Sequence, residues 1–157
     1  MKQNKYVKSV LCVCLGNICR SPTAEAVLDK IAKDNGLKLD VDSAGTMGYH
    51  QGKPADPRSS EIASKRGYDM STIKARQITV KDFAKFDMIL AADRSNFNDL
   101  LAICPEQYQH KINMMLDFGQ NIGMEVPDPY YQGAASFETV LDLIEDSAKA
   151  LVVGLLS

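Results

Sequence analysis

Apolar and polar positions recur along this chain with enough order to place most of its elements. Residues 7–13 end in a continuous apolar run, the pattern of a strand buried on both faces. Beyond it, Ala24, Val27, Leu28 and Ile31 recur at three- and four-residue steps. That spacing predicts an amphipathic helix from Ser21, stopped by Asn35-Gly36, a pair suited to a left-handed C-terminal cap. Residues 37–42 alternate like a short strand and lead into a turn at Ser43-Ala44-Gly45-Thr46. Asp56-Pro57 supplies the cap and first position of a second helix, which Arg66-Gly67 ends. Residues 86–92 are apolar apart from Asp87 and read as a central strand. Asp93 caps the next helix, which carries Phe97, Leu100 and Leu101 and stops before Pro105. Residues 111–115 form a last short strand. Phe137, Val140, Leu141, Ile144 and Leu151 then predict a long helix over 136–156. Strands alternating with helices four times give an α/β fold, a doubly wound four-stranded parallel sheet with helices on both faces.

Composition narrows the classes. The 157 residues, 45% hydrophobic and 24% charged, describe one globular domain over residues 1–157. A net charge of -2 gives no electrostatic reason for a nucleic-acid or anionic-membrane partner, although a local basic rim is compatible with it. No apolar run approaches the roughly 20 residues of a membrane span, and the first six residues are too short and polar for a signal peptide. Four cysteines without a disulfide framework fit a reducing compartment, so the expected location is cytoplasmic.

The chemistry concentrates between the first strand and the first helix, in Cys14-Leu15-Gly16-Asn17-Ile18-Cys19-Arg20-Ser21-Pro22. A helix N-terminus exposes unpaired N–H groups and about half a positive charge, and the loop leading into it can aim further N–H groups at one anion. Cys14 opens the loop and Arg20 closes it. One anion could therefore meet a sulfur nucleophile while a planar guanidinium holds two of its oxygens. A free thiol, with a pKa of about 8.5, is a weak nucleophile at neutral pH; a helix N-terminus and a neighbouring arginine favour thiolate. Ser21 suits the N-cap and can donate to the sulfur, Pro22 suits the first helical position, Gly16 permits tight turning, and Asn17 tolerates left-handed angles. A structural zinc site built from Cys12, Cys14, Cys19 and Cys104 is disfavoured, because the spacing lacks the usual paired knuckle. The expectation is no metal and no cofactor.

Elsewhere the chemistry is sparser. The loop of residues 117–132 is long and rich in Gly and Pro, the kind of segment that carries function, and it offers Asp128 between two prolines beside Tyr130 and Tyr131. Tyr49 and His50 fall in a Gly-containing loop; His50 and His110, the only histidines, have no recognisable catalytic setting and read as surface residues.

The loop signature resembles that of the low-molecular-weight protein tyrosine phosphatases. Asp42-Ser43-Ala44-Gly45-Thr46, Ala75-Arg76-Gln77-Ile78-Thr79, Phe86-Asp87-Met88-Ile89-Leu90 and Asp128-Pro129-Tyr130-Tyr131 resemble further segments of that family, in family order. The resemblance implies a flavodoxin-like strand order 2-1-3-4. It implies hydrolysis of phosphotyrosine in proteins and of small aryl phosphates, with acid phosphatase activity, through a phosphocysteine on Cys14. Arg20 and the loop from Leu15 to Cys19, with Ser21, would hold the phosphate, and Asp128 would act as general acid and then base. It further implies that Ser43 fixes the loop through Asn17, that Tyr49 and Tyr130 line the substrate pocket, that Cys19 is the redox partner of Cys14, and that Tyr130 and Tyr131 are kinase targets in eukaryotic members. Many members carry a histidine supporting the loop where this chain has Thr72. The partners expected are phosphotyrosine proteins, and the expected state is a monomer with at most weak self-association.

Three alternatives are weighed. Arsenate reductases of the same fold need two relay cysteines downstream, and this chain has only Cys104 beyond Cys19. Protein arginine phosphatases typically have Thr where this chain has Ile18. A silent phosphoprotein-binding module predicts loss of Cys14, Arg20 or Asp128, and all three are present.

Overall fold

The computed structural model describes residues 6–130 and 132–157. Its order is β1 (Ser9–Cys14), α1 (Arg20–Asp34), β2 (Asp40–Gly45), α2 (Pro57–Lys65), α3 (Val80–Lys85), β3 (Met88–Ala91), α4 (Arg94–Ile103), a 3-10 turn (Glu106–Lys111), β4 (Ile112–Met114) and α5 (Ala134–Leu156). The four strands pair in parallel in the order β2-β1-β3-β4. The strand order inferred from the family segments is thus the one observed.

Both faces of the sheet are covered, which is why β1 is apolar throughout. Val10, Cys12 and Cys14 join the cluster of α1 and α5, with Val27, Leu28, Leu141, Ile144 and Leu151. Leu11 and Val13 point the other way, against Phe83 of α3 and Leu100 of α4. The period-2 alternation of a strand divides its residues between two cores. Phe83 is fully buried at the centre of the second core, and Phe83→Ala is expected to lower the unfolding free energy by about 3–5 kcal/mol in urea titration. Its kcat per folded molecule should change little, because that core lies under the sheet rather than at its edge.

The ends of β1, β3, β4 and α5 shift by one or two residues from expectation, and three other elements differ in kind or start. β2 begins at Asp40 rather than 37, and Ser43-Ala44-Gly45 is its end, not a turn: Cys12 pairs with Ser43, Val13 with Ala44 and Cys14 with Gly45. The parallel register with β1 overrides the local turn preference. α1 begins at Arg20 with Cys19 as its cap residue, because the Thr23 N–H and hydroxyl both donate to the Cys19 carbonyl. Ser21 and Pro22 are therefore the second and third helical residues rather than cap and first position. α3 was not foreseen, being too short for a periodic signal; its marker was the Thr79-x-x-Asp82 capping box, whose two reciprocal bonds are both present. The caps read at Asp56, Asp93 and Asn35-Gly36 are observed, with Gly36 at φ 71°.

Candidate active site

The C-terminal ends of β1, β2 and β3 meet at one edge, where parallel α/β sheets bind ligands. The segment after β1 wraps there into a loop whose carbonyls are tied outward. Thr46 N–H donates to Cys14 O, Met47 N–H to Leu15 O and Asp56 N–H to Ile18 O. A trans peptide points its N–H opposite its carbonyl, so the N–H groups of Leu15, Gly16 and Cys19 turn to the side on which the loop closes. Gly45 is required beside it: a Cβ there would stand 2.7 Å from Leu15 O. Asn17 takes the left-handed conformation at φ 59° and is fully buried.

That asparagine holds the loop in shape. Its Nδ2 donates to Ser21 Oγ (2.8 Å) and Ser43 Oγ (3.0 Å), and its Oδ1 accepts from the Arg76 backbone N–H (3.0 Å). Ser21 Oγ lies 3.0 Å from Cys14 Sγ. Thr72 is exposed; the segment that follows it reaches the loop instead through the Arg76 backbone.

Arg20 is 3% exposed and anchored on its far side. Its Nη1 donates to Asp93 Oδ2 (2.7 Å) and to Val126 O (3.0 Å), while among the described residues Nη2 keeps only a longer contact with Asp128 Oδ2 (3.7 Å). Nε and Nη2 are thus the prongs left for an anion. Asp93 serves two purposes, since its Oδ1 also accepts from Asn96 N–H as the cap of α4. The 117–132 loop is pinned by Val126 N–H to Ala92 O. Asp128 is exposed and its Oδ1 accepts from Tyr130 N–H, and Arg58 Nη2 donates to Tyr130 O. Arg58 also pairs with Asp56 and lies over the rings of Tyr130 and Phe137, linking this loop to α2 and α5.

These groups surround a cavity of about 180 Å³ lined by Cys14, Leu15, Gly16, Ile18, Cys19, Arg20, Tyr49, His50, Asp128 and Tyr130. Asn17, Ser21 and Ser43 stand behind it as support. Tyr49 is 68% exposed, so it forms the rim of the cavity rather than its depth. Tyr131 lies outside the described residues. His50 is a correction: it is part of the cavity wall, with its ring 6.3 Å from that of Tyr130, because the 47–55 loop is tied to the phosphate loop and Gly16 leaves room for the imidazole. His110 is exposed, as expected. Cys104 is buried in the opposite core with Leu100 and Ile112, across the sheet from Cys14 and Cys19. Burial, with the charge of Asp56, pushes the Cys19 thiol up to about 12.

Sequence reasoning missed four residues of this site. Asp93 was read only as a cap, although its place at the end of β3 put it on the ligand edge. Arg58 and Glu25, whose carboxylate accepts from Ser43 Oγ, carry no local signal and are brought in by tertiary packing. His50 could have been found from Tyr49, its neighbour in the same loop.

An anion cradle at a strand-to-helix turn, with a thiol at its start and a buried arginine at its end, on a sheet ordered 2-1-3-4, defines a class: α/β phosphatases with a Cys-x5-Arg loop. The comparisons narrow it further. The family model for low molecular weight phosphotyrosine protein phosphatase matches residues 9–156, and the chain belongs to that family. The human low molecular weight phosphotyrosine protein phosphatase is 44% identical over 141 residues, covering 85% of this chain and 86% of its own. A low molecular weight protein-tyrosine-phosphatase of Bacillus subtilis is 39% identical over 150 residues, covering 94% and 95%. A protein tyrosine phosphatase crystal structure from Entamoeba histolytica, with Hepes in its active site, superposes with a TM-score of 0.90 at 46% identity over 95% of this chain and 97% of that one.

Proposed function

We propose that this chain hydrolyses phosphotyrosine in proteins, and small aryl phosphates, through a phosphocysteine on Cys14. The observation that carries the reading is the convergence of Cys14, Arg20 and Asp128 on one cavity walled by Tyr49 and Tyr130. The Cys14 thiolate attacks phosphorus; an S–P bond forms as the P–O bond to the phenol breaks, and Asp128 in its acid form gives its proton to the departing oxygen. Arg20 and the N–H groups of the loop hold the equatorial oxygens, whose charge is spread in a loose transition state. Water then attacks phosphorus, Asp128 takes its proton, the S–P bond breaks and phosphate leaves. Arg20 and the amides supply the positive field that a metal supplies in other phosphatases, so hydrolysis is expected to survive a chelator.

The same reading assigns Cys19 a protective part. A peroxide oxidises the Cys14 thiolate to the sulfenic acid; the Cys19 thiol displaces water from it and the two sulfurs join. Cys19's raised pKa supports that order, since it stays a thiol while Cys14 is the sulfur that receives the Ser21 hydrogen bond. The substrates are phosphotyrosine proteins rather than nucleic acids, and the protein acts as a monomer in the cytoplasm, with at most weak self-association. Four free cysteines suit a reducing compartment, and among the described residues no helix is long and apolar enough to cross a membrane.

Asp128→Asn tests the general acid. For an alkyl-substituted phenyl phosphate, a poor leaving group, kcat should fall by about 10²–10⁴-fold. For a nitrophenyl phosphate, whose phenolate departs without a proton, the fall should be much smaller. An equal loss for both substrates would remove Asp128 from the proton-donor role.

A further inference from the structure

Behind the phosphate loop, a hydrogen-bonded chain runs from Glu25 of α1 to the sulfur. Ser43 Oγ donates to Glu25 Oε1 (2.6 Å), Asn17 Nδ2 donates to Ser43 Oγ (3.0 Å) and to Ser21 Oγ (2.8 Å), and Ser21 Oγ meets Cys14 Sγ (3.0 Å). Its direction is over-determined. The Arg76 backbone N–H can only donate, so Asn17 Oδ1 must face it and the Asn17 amide protons must face the two serines. Each serine therefore spends a lone pair on Asn17 and has one proton left. That of Ser43 goes to Glu25; that of Ser21 goes to Cys14 Sγ, the alternative acceptor Ala44 O being at 3.4 Å.

We propose that Glu25 is a positioning residue for the reaction, and that its carboxylate, by holding Ser43 as its donor, secures the Ser43–Asn17 anchor of the loop that presents Cys14. The inference deepens the reading of Cys14 as nucleophile and rests on it. An ionised Glu25 can only accept, which holds Ser43 as its donor and leaves the Ser43 lone pair for Asn17. A protonated Glu25 can itself donate to Ser43 Oγ, which crowds two donors on that oxygen, takes the acceptor from the Ser43 proton and loosens the anchor that shapes the loop.

The groups that face Glu25 make this change of state accessible. Asp29 lies one turn on along α1, Asp42 on β2, Cys12 on β1, and Arg76 comes from the segment before α3. Arg76 is already shared between Asp42 (3.1 Å) and Asp82 (3.0 Å), so Glu25 is a third acid beside one cation. Burial, with the charges of Asp42 and Asp29, raises the Glu25 carboxyl to about 7 against the opposing pull of the Ser43 hydrogen bond and Arg76. The proton then comes and goes near neutrality. Below that value Glu25 donates to Ser43; above it, Glu25 accepts and the Ser43–Asn17 anchor is complete.

The test compares wild type with Glu25→Gln and Glu25→Ala on an aryl phosphate from pH 5 to 9. A parallel measurement follows the alkylation rate of Cys14 by iodoacetamide, mapped by mass spectrometry, which needs no turnover. The ratio of kcat/KM for wild type to that for Glu25→Gln cancels titrations the two share, including that of the substrate. It should rise about fivefold through a step centred near pH 7, the advantage of a charge-assisted over a neutral hydrogen bond, and the alkylation ratio should step at the same pH. Glu25→Ala, which removes the acceptor, should lose about tenfold in kcat/KM at pH 8, with Glu25→Gln recovering most of that loss. A flat wild-type-to-Gln ratio across the range, with wild type active, would overturn the inference while leaving the nucleophile in place. So would a Glu25→Ala variant with reduced melting temperature but wild-type kcat/KM. If Glu25→Ala does not fold, the Gln ratio alone decides. Alkylation of Cys14 without any hydrolysis by wild type would instead overturn the phosphatase reading on which the inference stands.

Discussion

Cys14→Ser is expected to lower kcat for an aryl phosphate by about 10⁴-fold or more, leaving inorganic phosphate binding within a few-fold of wild type. The two halves of this result come from different parts of the site. Binding belongs to Arg20 and to the loop N–H groups, whose directions are fixed by Asn17 and by the carbonyl ties to Thr46, Met47 and Asp56. None of these depends on the sulfur. Attack depends on it entirely, because a serine hydroxyl in the same place carries no charge near neutrality, and no histidine lies beside it among the groups bonded to Cys14. The measurement is steady-state hydrolysis beside phosphate inhibition or calorimetry on the same preparation.

Arg20→Lys should be nearly as damaging, at about 10³-fold in kcat/KM, despite keeping the charge. The wild-type guanidinium divides its donors. One nitrogen is held by Asp93 and Val126 O, and the rest of the fork remains for two phosphate oxygens. A lysine ammonium is a point donor on a flexible stem and cannot both bond Asp93 and span two oxygens. It would settle against the carboxylate, away from the anion, or turn to the anion and leave Asp93 unpaired at the sheet edge. A double variant, Arg20→Lys with Asp93→Asn, separates these outcomes: partial recovery of kcat/KM means that Asp93 had been holding the lysine back.

Much of this site was legible because its central part is local in sequence. Nine consecutive residues contain the nucleophile, the cradle, the arginine and the start of the helix, so one motif states the chemistry and the buried strand before it states the place. The helices with strong caps, at Asp56 and Asp93, were readable for the same reason. What was not legible is set by packing over distance. Ser43-Ala44-Gly45 has turn-forming composition, yet it continues β2 because three ladder pairs with β1 outweigh local preference. Ser21 looked like a cap, yet Thr23 and the Cys19 carbonyl place the cap two residues earlier and free the Ser21 hydroxyl for sulfur. Glu25 carries no signal in the sequence of α1. Only the docking of α1 on β2, which brings its carboxyl to Ser43, reveals it as part of the site.

The central claim is that phosphate passes through a covalent bond to Cys14. It is tested most directly by mixing Asp128→Asn enzyme with a nitrophenyl phosphate, quenching within the first turnover, and mapping the modified peptide by mass spectrometry. The account predicts a burst of nitrophenolate close to one per enzyme and phosphate on the Cys14 peptide, absent from Cys14→Ser; a burst without covalent phosphate, or phosphate on any other residue, would contradict it.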